Sequence, residues 1–254
     1  MNVSLYQAAA ALDGGMRWQQ TISDNLATGA IHGFKKSDIS FSAVQAGLMQ
    51  PGSNPETGQG QHFILPSPSI GPNFVDGELE ATGNKTDIAI SGPGFLAVEA
   101  PNQQTAYTRD GELKISGQGQ LTTKEGFPVL GDNGPITVDP RSPDPIAIAT
   151  DGEISQGGIN RGRLRLSEFR DRTKLLPMGG GYYQIQDGQN KEEEAIPSPG
   201  SSVSQGFLES SNVKPAVEMG NLIMALRHFE ANQKVIQSQD DRMGRTITEL
   251  SATS

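Results

Sequence analysis

MGNLIMALRHFEANQKVIQSQDDRMGRTITEL, residues 219–250, is the stretch from which the architecture of this chain can be read. Alternating steps of three and four pick out Met219, Leu222, Leu226, Phe229, Gln233, Ile236, Asp240, Met243, Ile247 and Leu250, apolar except at Gln233 and Asp240. Such spacing keeps one face of a 3.6-residue helix in line and makes a coiled-coil seam. The same steps near the other end give Leu5, Ala8, Leu12, Gly15, Gln19, Ile22 and Leu26, a thinner stripe whose small residues let another helix approach closely. A narrow apolar seam on a lone helix stays in water, so each terminal helix requires a partner helix, from its own chain or from a neighbouring copy.

Working outward, the composition limits what lies between. The 254 residues suffice for at least one independent core, but only 34% are hydrophobic while 31 are Gly and 16 Pro, which suits a turn-rich β body with solvated connectors. A formal net charge of -9 with no Lys/Arg cluster repels phosphate backbones and speaks against a nucleic-acid partner. The absence of cysteine removes disulfides, zinc-thiolate sites and thiol nucleophiles together. Residues Met1 to Ala11 lack the basic and continuous apolar regions of a secretory signal, and no apolar run approaches a membrane span. The expectation is a chain that stays in the cytoplasm or leaves it by a signal-independent export machine, without membrane insertion.

Gly29, just after Thr28, marks the expected stop of the first helix. Residues 51–72 are dense in Pro, Gly, Ser, Asn and Gln and read as an extended linker. From Phe74 onward, short runs of β-formers such as Phe95 to Val98, Thr105 to Thr108 and Tyr182 to Ile185 alternate with turn residues, the pattern of antiparallel sheets. The near-repeats Asp76-Gly77-Glu78, Asp110-Gly111-Glu112 and Asp151-Gly152-Glu153 read as turns entering strands rather than acidic metal loops. Pro215 suits the first turn of the last helix, with Ser211 or Asn212 as its cap. The expected fold class is α+β: coiled-coil-type helices at the N- and C-termini and a central all-β domain, antiparallel and sandwich- or barrel-like. The segments are a helical region over 1–36, a linker over 37–73, the β domain over 74–196, a linker over 197–205 and a helical region over 206–254.

Catalytic chemistry is not legible. His32, His62 and His228 are scattered over a loop, a linker and a helix flank with no carboxylate or second histidine at ligand spacing, which points to solvated or cap-adjacent imidazoles. No Gly-x-Ser-x-Gly elbow or Walker loop is present, Gly92-Pro93-Gly94 reads as a turn, and Glu192-Glu193-Glu194 as a solvated run. The reading is a non-enzyme without cofactor or metal. Trp18 lies beside a seam with too little local core to hide it and is expected to make an intermolecular contact, with packing on Phe41 as the alternative.

Three blocks of residues then carry a likeness. They are Asn25-Leu26-Ala27 with Gly33-Phe34-Lys35-Lys36; Asp87-Ile88-Ala89-Ile90, Gly94-Phe95-Leu96 and Tyr107-Thr108-Arg109-Asp110-Gly111; and Gly206, Leu208-Glu209, Ser211-Asn212-Val213, Glu218-Met219 and Arg227 through Ile236. Together they resemble the flagellar basal-body rod and hook family of bacteria. Ser211 to Pro215, Arg227 to Glu230 and Gly162-Arg163-Leu164 bring the chain nearest to the proximal rod type, while Ala231 to Ile236 suits the distal rod type as well. Thr28 and Gly29 stand where the family usually has a second asparagine, and Ala30-Ile31-His32 replace its small hydroxyl residues.

The resemblance implies a structural subunit of a helical tube, with terminal helices in an inner layer and β domains outside, crossing the periplasm and passing torque from motor to hook. It also implies assembly with other rod and hook-basal-body subunits, after export by the flagellar apparatus without a cleaved signal. The expected assembly residues are Leu5, Leu12, Trp18, Ile22, Asn25, Leu26, Gly33, Phe34, Asn212, Met219, Leu222, Leu226, Phe229, Ile236, Met243 and Ile247. The alternatives are a distal rod or hook-type subunit and, from a different class, a soluble β-rich binding module dimerised by its helices.

Overall fold

Residues 3–49, 61–101, 104–185 and 195–252 are described in a computed structural model of the protein, the side chains of residues 3–5, 45–49, 61–64 and 250 excepted. Glu192 to Glu194 and the side chains of Leu5, His62 and Leu250 therefore lie outside the described part. Two compact units emerge: a helical unit of residues 1–27, 37–71 and 214–254, and a β unit of residues 28–36 and 72–213.

In the helical unit, α1 spans Val3–Thr28 and ends where the sequence places its stop. Gly29 does not take the left-handed conformation expected of a capping glycine, and a turn from Thr28 closes the helix instead, with the Ile31 N–H donating to the Thr28 carbonyl at 3.0 Å. The region read as a linker over 37–73 instead holds two long strands, Ser37–Met49 and Gln61–Pro72, paired as a ribbon. Its signal is the alternation Ile39, Phe41, Ala43 against Asp38, Ser40, Ser42, which the overall richness in Pro and Gly masks. Ser40 and Ser42 hydroxyls reach across to the carbonyls of Ser69 and Ser67. In a two-stranded ribbon half the N–H groups face away from the partner, which leaves room for prolines. The second helix, α2, spans Pro215–Ala252, 38 residues and about 57 Å at 1.5 Å per residue. Neither Ser211 nor Asn212 caps it; Pro215 opens the first turn, and the Lys214 carbonyl accepts from the N–H groups of Val217 and Glu218 at 2.9 and 3.0 Å.

The β unit is built on a six-stranded antiparallel sheet in the order Leu175–Gly179, Tyr182–Ile185, Thr105–Thr108, Phe95–Glu99, Leu166–Phe169, Ala195–Pro197. Its central strand reads Phe-Leu-Ala-Val-Glu, and because side chains alternate across a strand, this apolar run fills two cores at once. Phe95 and Ala97 enter an aromatic cluster with Tyr107, Phe169, Leu175 and Tyr183. Leu96 and Val98 enter an aliphatic cluster with Ile88, Leu113, Leu121, Val129 and Ile154. Ring contacts hold the aromatic side: Phe95 meets Phe74 at 5.5 Å and Phe169 at 5.6 Å, and Tyr107 meets Phe169 edge-on at 4.7 Å.

The end of the unit returns to its beginning. Ser202–Gln205 pairs with Ile88–Ser91, and Phe207–Glu209 with Leu79–Ala81. This redraws three boundaries expected from sequence. Residues 28–36 belong to the β unit rather than to the helical region, residues 202–205 form a strand rather than a linker, and residues 206–213 are β-unit backbone rather than the start of the last helix. The strands at 202–205 and 207–209 are short and mix buried Val203 and Leu208 with serines, so no apolar period marks them in the sequence.

Candidate assembly surface and the knot beneath the motifs

On α1 the predicted seam lies on the covered side: Ala8, Gly15 and Ile22 are buried, and Leu12, Gln19 and Leu26 half-buried. A β-carbon at Gly14 would stand 3.0 Å from the Phe41 ring, so that glycine serves close approach, whereas one at Gly15 would stand an ordinary 3.9 Å from the Phe229 ring. Trp18 packs within its own unit, edge-on to Phe41 at 6.5 Å and tilted against His228 at 5.9 Å. Its half-buried position matches the Phe41 alternative, with His228 as a further neighbour that spacing does not reveal.

On α2 the predicted seam divides. Leu222, Phe229 and Ile236 are half-buried, and the positions that alternate with them on the covered side are Ala225, Asn232 and Gln239, one residue before the predicted Leu226, Gln233 and Asp240. A second, exposed row runs beside it: Met219 is 57% exposed, Ile223 54% and Leu226 45%, with Ile247 at 67% further along, while Met243 stands one heptad beyond Ile236, in line with the half-buried residues. One helix thus carries two apolar faces, and one of them is open.

The motif residues Asn25, Gly33, Phe34 and Asn212 are engaged inside the chain. Asn25, on the last turns of α1, donates from Nδ2 to the Ser37 carbonyl at 2.9 Å and accepts the Ser37 N–H on Oδ1 at 2.8 Å, as a strand partner would. Gly33 has φ +66°, and a β-carbon there would lie 2.2 Å from the Arg109 carbonyl carbon. Only glycine fits such a place. Its N–H donates to the Glu209 carbonyl at 2.6 Å, and the Phe34 carbonyl accepts from Asn212 N–H at 3.3 Å. The Asn212 side chain accepts from the Lys36 N–H at 2.8 Å and donates to the carbonyls of Asn73 and Val75, both at 2.9 Å.

Beneath these backbone ties lies a buried charge cluster that sequence spacing gives no means of finding, since its members are 74 and 100 residues apart. Lys35 Nζ is 2.5 Å from Glu209 Oε1, and the Arg109 guanidinium is 3.3 Å from Oε2, with all three side chains 1% exposed. Glu209 also accepts the Gly77 N–H at 2.8 Å, and Lys35 donates to the Val75 carbonyl at 2.9 Å. Arg109 lies over the Phe95 ring at 5.0 Å and donates to the carbonyls of Ile90 and Gly92. Exposed Asp76 stands at the rim, 3.7 Å from Lys35 and 3.6 Å from Arg109.

His32 is less isolated than its sequence neighbours suggest. Asp110 and Glu112 come to it, with ligand atoms of the three within 4.8 Å of one another. The Lys124 ammonium stands 3.3 Å from Asp110 and 3.6 Å from Glu112 and supplies the positive charge that these carboxylates need, so the group is an ion-pair network. Burial raises the Asp110 carboxyl above the ordinary range, opposed by the Glu112 N–H and Lys124. Asp110 and Asp151 each accept the N–H two residues on, at 3.0 and 3.2 Å, which makes those near-repeats side-chain-closed turns entering strands.

These features define a class: a protein with a helix near each end of the chain and a β body between them in sequence, whose sequence signatures tie distant segments together. Residues 89–156 match the family model of the flagellar hook protein FlgE/F/G D1 domain, and residues 204–249 that of the flagellar basal body rod FlgEFG protein C-terminal region. The flagellar basal-body rod protein FlgF of Caulobacter vibrioides is 33% identical over 218 residues, covering 85% of each chain. FlgG of Buchnera aphidicola subsp. Schizaphis graminum is 31% identical over 94% of this chain and 96% of its own, and FlgF of Salmonella typhimurium 30% identical over 99% of both. The chain belongs to the flagellar basal-body rod protein family and is a structural rod subunit.

Proposed function

We propose that this chain is a rod subunit of the proximal type whose terminal helices occupy the inner layer of a helical tube, with the β unit outside, and that the assembled tube passes torque from motor to hook. The observation that carries this reading is the second apolar row of α2, Met219, Ile223 and Leu226, open to water in the single chain, with Ile247 exposed further along the helix. A neighbouring helix removes such a row from water, and head-to-tail contacts that repeat without closing build a filament. Leu12, Trp18, Ile22, Leu26, Leu222, Phe229 and Ile236 then belong to a coiled-coil-type pairing of the two helices, while Asn25, Gly33, Phe34 and Asn212 brace the segments that present them. Other rod and hook-basal-body subunits are the partners, reached through the flagellar export apparatus without a cleaved signal and assembled in the periplasm. No helix among the described residues is long and apolar enough to cross a membrane, in keeping with this role.

The test is Ile223→Asp with Leu226→Asp in the full chain. A deletion strain complemented with this variant should not swim, while the purified variant keeps its β unit folded by circular dichroism. Normal swimming overturns the reading. Sedimentation over a concentration series separates the binding-module alternative, because a closed dimer reaches a plateau. Electron microscopy of basal bodies from the deletion strain shows where construction halts, and so separates proximal from distal placement.

A further inference from the structure

The Lys35–Glu209–Arg109 cluster holds two cations and one carboxylate out of water, and the three arrive on different segments. Lys35 comes on the strap of residues 28–36 that follows α1, Arg109 just after strand Thr105–Thr108, and Glu209 at the end of the strand Phe207–Glu209 that precedes α2. The order in which these segments can separate is set by charge. If the strap lifts away, Lys35 leaves for water and Glu209 stays paired with Arg109, a neutral remainder. If the returning strand lifts away first, Glu209 leaves and two cations remain buried on backbone carbonyls, with exposed Asp76 at 3.6 to 3.7 Å the one carboxylate among the described residues still paired to them. Taking a partner from a buried pair is far costlier than withdrawing a charge into water. Backbone ties point the same way: the strap lies against the strand through Gly33 N–H to the Glu209 carbonyl, Asn212 N–H to the Phe34 carbonyl and Lys36 N–H to Asn212 Oδ1.

We propose that Lys35 is a latch: the strap, once docked, locks the returning strand Phe207–Glu209, so that the segment leading into α2 is released only after the segment leaving α1 has opened. Both covalent connections to the helices are thereby held at one point of the β unit. The inference rests on the fold of the β unit and stands apart from the rod reading, so an assembly experiment and this one can fail separately.

Residue-resolved amide exchange on the full-length protein tests it. The Gly33, Lys36 and Asn212 N–H groups report strap opening, whereas the Thr82 and Ser210 N–H groups, bonded to the carbonyls of Gly206 and Glu78, report the returning strand. In the unaltered chain the strap amides should exchange faster than the strand amides, because the strap opens alone; equal rates for the two sets, the result when lifting of the strand frees both, overturn the latch. Lys35→Met should accelerate the strand amides about tenfold or more, because one buried cation rather than two is then left behind. Lys35→Arg should restore the protection, and Asp76→Asn, at the exposed rim, should change it by less than about threefold. Unchanged strand exchange in Lys35→Met overturns the proposal. If that variant does not fold, the ordering in the unaltered chain still decides.

Discussion

Gly33 and Gly15 show at single-residue scale that two glycines of one chain answer different demands. At φ +66° with the Arg109 backbone 2.2 Å from a would-be β-carbon, Gly33→Ala meets both strain and overlap. It should cost more than about 2 kcal/mol in urea unfolding. Gly15→Ala places its β-carbon 3.9 Å from the Phe229 ring, an ordinary contact inside a helix. It should stabilise the isolated chain by about 0.5–1 kcal/mol. The buried tyrosines add a pH test. Burial pushes the Tyr183 phenol up to about 12 and raises Tyr107, and burial with a hydrogen bond to Glu125 raises Tyr182 as well. Unfolded tyrosine ionises near pH ~10, so the folded state keeps protons that the unfolded state has already lost. The associated stability is present in full below about pH 10 and lost as pH rises towards about 12, roughly 2–3 kcal/mol from Tyr183 alone. Denaturation midpoints measured between those pH values should fall steadily; a flat profile contradicts the burial argument.

At the scale of the element, α2 separates stability from assembly. Its covered side holds Leu222, Ala225, Phe229 and Ile236, and its open side Met219, Ile223 and Leu226. Aspartate at Ile223 and Leu226 replaces side chains that are about half exposed, so the unfolding free energy of the isolated chain should move by no more than about 0.5 kcal/mol per site. Loss of swimming beside unchanged stability then places the defect in contacts between molecules, whereas a large drop in stability makes the row part of the monomer's own core.

For the whole molecule, the formal charge of -9 sets copies against one another. Self-association through the apolar row has to overcome that repulsion. The screening length falls from about 30 Å at 0.01 M salt to about 8 Å at 0.15 M. Raising ionic strength over that range should therefore strengthen self-association, visible as a rising weight-average sedimentation coefficient at fixed concentration. A fall with salt means that attraction between opposite charges, not apolar burial, drives the contact.

Sequence by itself determined what depends on local period and local chemistry. The heptad stripes mark α1 and α2, the Phe-Leu-Ala-Val run marks a strand, and the stop at Thr28 follows from the residues around it, since helix and strand periods are written into neighbouring positions. The three signature blocks were legible too, but not what they do, because their work is done between segments far apart in the chain. Tertiary structure alone decided which face of α2 is covered, one residue off the predicted register at alternate positions. It alone paired the Pro- and Ser-rich strands, turned Trp18 inward onto Phe41 and His228, and brought Lys35, Arg109 and Glu209 into one dry site. Charges separated by 74 and 100 residues meet only when the backbone between them has folded, and no periodicity can record that meeting.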